Sequence, residues 1–279
     1  MQKYWEDLIE RALQEDIGPG DHSSNCSIPA TAEGQVQLIV KQNGVLAGVA
    51  AARKVFEKVD PAVEFEELLS DGSVVQVGEI AFRLKGKTRS LLRGERIALN
   101  IMQRMSGIAT YTRSLMDLIG HTKAQILDTR KTTPTLRFME KEAVKIGGGT
   151  NHRFGLYDMV MLKDNHIDFA GGVRPALQKA KEYLRAQDLN IPIEIETRNE
   201  AEIKEALAEG GMSRIMFDNF SPAACQQAVQ LVNGACQTEA SGGITEANLV
   251  PYAESGVDFI SVGALTHSVK GLDMSLKAY

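Results

Sequence analysis

Ile193-Glu-Ile-Glu196, Arg214-Ile-Met-Phe-Asp218, Thr238-Glu-Ala-Ser241 and Phe259-Ile-Ser-Val-Gly263 are short apolar runs, each closed by a polar residue or glycine. A helical pattern follows each. Two earlier runs, Ala124–Asp128 and Met159–Leu162 with Lys163 after it, extend the series backward. The last four endings stand about 22 residues apart, the length of one strand, one loop and one helix. Alternating β and α segments imply parallel strands joined by right-handed crossovers. A closed or nearly closed barrel fits better than an open sheet, because every run ends in a residue suited to chemistry. Barrels gather their chemistry at the carboxyl ends of their strands. Six strands are distinct.

The first hundred residues follow another grammar. Tyr4–Glu15 has helical periodicity, and Ile17-Gly-Pro-Gly-Asp21 stops it. Gln35–Lys41 alternates as a half-buried strand does, a helix is expected over Val49–Val59, and strand-like runs occupy Val63–Leu69, Ser73–Val77 and Ile80–Leu84. A helix crossing a mostly antiparallel sheet is the simplest arrangement, and it leaves one sheet face for a partner to cover. A long helix is expected from Glu95 to Leu118, interrupted near Gly107. The expected division is 1–110, then a barrel over 111–267, with 268–279 packing back on the first domain.

The chain has 279 residues, 31 Lys+Arg against 36 Asp+Glu and a net charge of −5, with 43% hydrophobic and 24% charged residues. That composition supports a real core and lacks the basic excess of a nucleic-acid binder. No apolar run is long enough to cross a bilayer, and acids precede any apolar stretch at the start, so no secretory signal is expected. Cys26, Cys225 and Cys236 show no Cys-x-x-Cys spacing. A cytoplasmic location is therefore expected.

Four features carry chemistry. Asp128-Thr-Arg-Lys-Thr-Thr-Pro-Thr135 places two cations beside hydroxyls and an expected helix start, an anion seat. Gly147-Gly-Gly-Thr-Asn-His-Arg153 and Leu162-Lys-Asp-Asn-His166 follow, the glycines letting backbone approach a ligand. Arg130, Lys131, His152, Arg153 and Lys163 thus gather near one mouth of an acidic chain, and like charges gather at a cost unless an anion compensates. Glu196 and Asp218 end the next two strands, suited to Mg²⁺, to ribose hydroxyls or to neutralising the lysines. Ser241-Gly-Gly243 and Gly263-Ala264 end the last two; with a helix starting at Thr245 and Glu246, they suit a phosphate monoester. His22, His121 and His267 lie apart and match no metal-ligand spacing. Trp5, Met102 and Met105 read as core packing, Arg104 as solvated.

These motifs, with Glu194-Ile-Glu196, Phe217-Asp-Asn219, Ser261-Val-Gly-Ala264, Leu13-Gln-Glu-Asp16 and Leu272-Asp-Met-Ser275, resemble the quinolinate phosphoribosyltransferases nearly end to end. The resemblance implies an α/β fold: an amino-terminal α/β sandwich joined to an open or incomplete (β/α) barrel. It implies a homodimer in which one subunit's amino-terminal domain covers the other's barrel mouth, giving Arg96 a place in the neighbour's site. It also implies transfer of phosphoribosyl from phosphoribosyl pyrophosphate (PRPP) to quinolinate with decarboxylation, yielding nicotinate mononucleotide for NAD biosynthesis. Arg96, Thr129, Arg130, Lys131, His152, Arg153 and Lys163 would surround quinolinate, with Arg130, Lys131 and Lys163 central to catalysis. Glu196 and Asp218 would hold ribose and Mg²⁺, and Ser241, Gly242, Gly243, Gly263 and Ala264 the 5′-phosphate. Three rivals remain open: a related barrel family of molybdenum-transport loci acting on another anionic base, a lyase forming a Schiff base on Lys163, and a non-catalytic anion-binding protein. The run Lys163-Asp-Asn-His166 favours quinolinate over the first.

Overall fold

A computed structural model describes residues Gln2–Tyr279. In chain order the elements are α1 (Gln2–Ile17), α2 (His22–Ser27), β1 (Glu33–Val40), β2 (Gly44–Val45), α3 (Val49–Val59), β3 (Glu64–Glu67), β4 (Val74–Val75), β5 (Ile80–Lys87) and α4 (Thr88–Leu118). Then come β6 (Gln125–Leu127), α5 (Arg137–Ile146), β7 (Val160–Leu162), α6 (Asp164–Ala170), α7 (Val173–Ala186), β8 (Ile193–Thr197) and α8 (Glu200–Glu209). The chain finishes with β9 (Arg214–Asp218), α9 (Pro222–Val232), β10 (Gln237–Ser241), α10 (Leu249–Glu254), β11 (Phe259–Ser261), α11 (Ala264–His267) and β12 (Met274–Ala278). They form two compact units.

The first unit comprises Met1–Arg113, Pro134–Gly148 and Ser268–Tyr279. Its antiparallel sheet has the order β12-β1-β5-β3. Period-two alternation puts Leu38 of β1 in register between Phe82 of β5 and Leu276 of β12, all buried. Helix α3 turns Ala52, Val55 and Phe56 inward, and the Phe56 ring lies 6.5 Å from that of Phe82.

Two expectations about this unit need correction. Helix α4 is not interrupted near Gly107: it runs unbroken for 31 residues. Gly107 is there for clearance, since a Cβ on it would stand 2.0 Å from the carbonyl oxygen of Lys270. Residues 134–148, between β6 and β7 in sequence, group with this unit. Phe138 of α5 packs edge-on against Trp5, and Glu140, wholly buried, takes a charged hydrogen bond of 2.9 Å from Arg104 Nε. Burial of an acid requires such a partner, so Arg104 is turned onto Glu140 and half-buried instead of lying free in solvent.

The second unit comprises Ser114–Thr133 and Gly149–His267. Its six strands are all parallel, in the order β6-β11-β10-β9-β8-β7. All five residues of β8 are buried, as in a sheet with both faces covered. Neighbours in sequence are neighbours in space from β7 to β11, and β6 joins the far side of β11. Closure would need β6 to pair with β7; instead the outer edge of β6 takes a parallel bridge from Thr150 and β7 is left an edge strand, so no ladder joins the two. The interval between them holds α5, which belongs to the first unit. Parallel order carries every strand's carboxyl end to one rim.

Candidate active site

That rim holds a cavity of about 790 Å³ lined by residues from all six strand ends. Thr129, Arg130, Lys131, His152, Arg153, Lys163, Glu196, Asp218, Ser241, Gly242, Gly243, Gly263 and Ala264 all line it. Of the substrate-binding set expected from sequence, only Arg96 does not. It is exposed on α4, in the first unit.

Lys163 follows edge strand β7 and begins α6. The backbone N–H of Lys163 donates to His166 Nδ1 at 2.9 Å, which explains the His three residues on: it fixes the main chain beneath the lysine. Lys163 Nζ donates to Glu196 Oε2 at 2.8 Å. Arg153 and Arg130 repel one another: burial first, then Arg130, lowers the Arg153 guanidinium from its usual range. Two cations held close enough to perturb each other make a seat for an anion. Asp218 is set by the next residue. Asn219, at φ 57°, donates from Nδ2 to Asp218 Oδ2 at 2.7 Å and from its main-chain N–H to Ser241 O at 2.8 Å.

The Ser241-Gly242-Gly243 turn nests against that asparagine. Gly242 has φ +106°, and a Cβ there would lie 2.2 Å from Asn219 Oδ1, so no other residue fits. Asn248 secures the turn's far side by donating to Gly243 O at 3.1 Å and accepting the Thr245 N–H at 2.7 Å. The expected helix start at Thr245 and Glu246 is not formed. Helix α10 begins at Leu249, because Asn248 closes a turn before it. Likewise Thr129–Thr133 is loop, and α5 starts later, at Arg137. Neither place therefore offers a helix dipole to an anion, and turn N–H groups and cations are what remain. Gly147 also serves packing: a Cβ on it would stand 2.5 Å from Ala109 O of α4.

His152 differs from the other four cationic groups. Its Nδ1 accepts the Arg153 N–H at 2.7 Å, and its Nε2 lies 3.0 Å from Glu194 and 3.5 Å from Glu239. Burial opposes the imidazolium and the two glutamates favour it; with Nδ1 taken by the Arg153 N–H, the ring proton sits on Nε2, facing both carboxylates. Both ring nitrogens thus face protein, and the residue serves the cavity by holding its loop. The Asp128 carboxylate, also buried, takes the His152 N–H at 2.8 Å. His152, Glu194 and Glu239 bring ligand atoms within 4.8 Å of one another, close enough to hold a cation. Arg214 already supplies one, donating from Nη1 to Glu239 Oε2 at 2.8 Å.

Sequence reasoning missed Asn219 and His267 as cavity residues, along with Met161, Met216 and Ser261. His267 carried a usable signal: it stands four residues after Gly263, on the one-turn helix α11. A Cβ on Gly263 would touch both the His267 ring and the Lys131 chain at 3.1 Å, so the three residues meet.

The quinolinate phosphoribosyl transferase C-terminal domain model matches residues 108–277, and the N-terminal domain model matches 21–106. The chain is 45% identical over 285 residues to quinolinate phosphoribosyltransferase [decarboxylating] 1 of Nicotiana glauca, covering 97% of this chain and 81% of that protein. It is 43% identical over 269 residues to the probable nicotinate-nucleotide pyrophosphorylase [carboxylating] of Bacillus subtilis, covering 96% and 91%. The crystal structure of NadC from Streptococcus pyogenes superposes with a TM-score of 0.95 at 38% identity, over 100% of this chain and 98% of that one. With the fold, the open barrel and the strand-end motifs all in agreement, this chain belongs to the quinolinate phosphoribosyltransferase family.

Proposed function

We propose that the chain transfers the phosphoribosyl group of PRPP to quinolinate with loss of CO₂, giving nicotinate mononucleotide and pyrophosphate, a step of NAD biosynthesis. The observation that carries this is the crowding of Arg130, Lys131, Arg153 and Lys163 around one cavity that also holds two carboxylates and two glycine turns. A doubly ionised pyridine fits the cations. A sugar phosphate fits the turns of Ser241–Gly243 and Gly263–Ala264.

The chemistry follows from position and charge. Arg153 and Arg130 hold the carboxylates of quinolinate and aim its ring nitrogen at the ribose C1, whose bond to pyrophosphate breaks as the new C–N bond forms. Lys131 and Lys163 stabilise the departing negative charge. The ring, now a cationic pyridinium, accepts the electron pair left when the adjacent carboxylate leaves as CO₂, and that carbon then takes up a proton. Glu196 and Asp218, hard oxygen donors on adjacent strands, fit Mg²⁺ or the ribose hydroxyls. When bound, Mg²⁺ would neutralise charge building on pyrophosphate. Incubation with quinolinate, PRPP and Mg²⁺ should release CO₂ and a mononucleotide in equal amounts, and excess chelator should abolish both. No product from fresh, folded protein would refute the reading.

A Schiff base on Lys163 is disfavoured. Such a lysine is activated by desolvation or by an adjacent cation, whereas the Lys163 side chain is 46% exposed and its Nζ is paired with the Glu196 carboxylate at 2.8 Å. Among the described residues no helix is long and apolar enough to cross a membrane. The three free cysteines fit a cytoplasmic location.

The reading includes a homodimer. Its support is the exposure of Leu156, Tyr157 and Phe169 (71%, 68% and 91%), large apolar side chains that a second copy would cover. Arg96 would then reach the neighbour's cavity. Mixing inactive Arg96→Ala with inactive Arg153→Ala subunits should restore about a quarter of wild-type activity, because statistical hybrids carry one intact site. Absence of recovery after verified subunit exchange would exclude a shared site.

A further inference from the structure

Beneath the cavity floor lies a group of charges that the chemistry above does not use. Glu239, in β10, is wholly buried. Its Oε1 accepts a hydrogen bond from Ser261 Oγ, and its Oε2 accepts from Arg214 Nη1 at 2.8 Å and lies 3.5 Å from His152 Nε2. Glu194, equally buried on β8, lies 3.0 Å from His152 Nε2 and 3.7 Å from Arg214 Nη1. The guanidinium stacks on the Phe259 ring at 4.1 Å. Apolar side chains of similar volume would fill this space at least as stably, since desolvating charges consumes most of their attraction. A network of this kind is better explained by what it holds in place.

What it holds is two separate pieces of the cavity wall. His152 precedes Arg153, and its ring nitrogen takes the Arg153 N–H. Ser261 ends β11 and leads directly into Gly263 and Ala264. We propose that Glu239 is a positioning residue for both substrates: through His152 it sets the loop carrying Arg153, and through Ser261 the turn carrying Gly263 and Ala264. One buried carboxylate thereby ties the quinolinate subsite to the PRPP subsite, an assignment that rests on the proposed function. Neither substrate touches Glu239. Its contribution is that both anion seats are set before either ligand arrives, which lowers the ordering cost of binding.

The test is Glu239→Gln, which keeps the shape but faces an amide N–H₂ toward a group of donors, so at least one link is lost. KM for quinolinate and KM for PRPP should rise together, each by about tenfold, with kcat reduced less. Ser261→Ala, which cuts only the β11 link, should raise KM for PRPP more than that for quinolinate, and it serves if the glutamine variant fails to fold. A merely structural role would lower the melting temperature and the fraction of active enzyme while leaving both KM values unchanged. That result, or a rise in one KM alone for Glu239→Gln, overturns the proposal. Arg153→Ala and Gly263→Val in the same assay separate the two levels of the argument. If they raise the quinolinate and PRPP KM values respectively and Glu239→Gln raises neither, only the positioning role fails. If they too move nothing, the subsite assignment itself is wrong.

Discussion

Lys163→Ala should lower kcat by about 10²–10³ while leaving the protein folded. The magnitude is that of losing one charged contact made to the transition state. The side chain is half exposed and packs into no core, so truncation opens no cavity. Its partner Glu196 loses a hydrogen bond of 2.8 Å, but that carboxylate lines the open cavity, where water can take the place of the ammonium. The effect must then appear in turnover. Lys163→Arg should recover only part of the rate: it restores charge without restoring the compact ammonium within reach of Glu196. Steady-state release of CO₂ with a parallel thermal melt decides the matter. Wild-type turnover in Lys163→Ala would remove the residue from the mechanism, and collapse of the melt would make it structural.

Gly107→Ala should destabilise the first unit more than most single-methyl additions. The new carbon would stand 2.0 Å from Lys270 O, 2.9 Å from Lys270 C and 3.1 Å from Gly271 Cα. All three atoms are backbone, so no rotamer change relieves the overlap. The crossing segment is also tethered, since the Leu272 N–H donates to Gln103 O at 2.9 Å and β12 continues into the sheet. Overpacking of ordinary cores costs about 1–3 kcal/mol, and a backbone clash belongs at or above the top of that range. At roughly 2–4 °C per kcal/mol for chains of this size, the melting temperature should fall by about 6–12 °C. Gly120→Ala is the control. Its Cβ would meet nothing closer than 3.6 Å, and it should lie within about 0.5 kcal/mol of wild type. An unchanged melt for Gly107→Ala would mean that the two segments do not cross so closely.

The same glycine shows where sequence reading stops. A glycine inside a helical pattern signals an interruption if only its neighbours in the chain are considered. The reason for Gly107 lies at Lys270, far along the chain, and no local pattern encodes it. The contacts of α5 are hidden for a similar reason: its partners are Trp5 and Arg104, both distant in sequence. The six barrel strands were legible because parallel strands buried on both faces leave dense apolar runs ended by polar residues. The residues lining the rim were legible with them, since parallel order brings every such ending to one side. His152 reached the cavity as expected, but its ring turned toward Glu194 and Glu239. Those glutamates lie mid-strand at positions that look like ordinary alternation, so nothing in the sequence flagged a buried charge network. His267 and Asn219 escaped because each acts beside a residue already noticed, Gly263 and Asp218.

The missing ladder between β6 and β7 has a mechanical consequence. A closed ring of strands is a hoop, and widening it anywhere tears hydrogen bonds. This sheet is a clip with two jaws: β6 leads to Arg130 and Lys131, and β7 leads to Lys163. Between the jaws only the Thr150 bridge to β6 takes the place of a ladder, so parting them would tear none of the bonds among the six strands. Arg130 and Lys131 on one side and Lys163 on the other therefore follow the two strands that the sheet does not tie to each other.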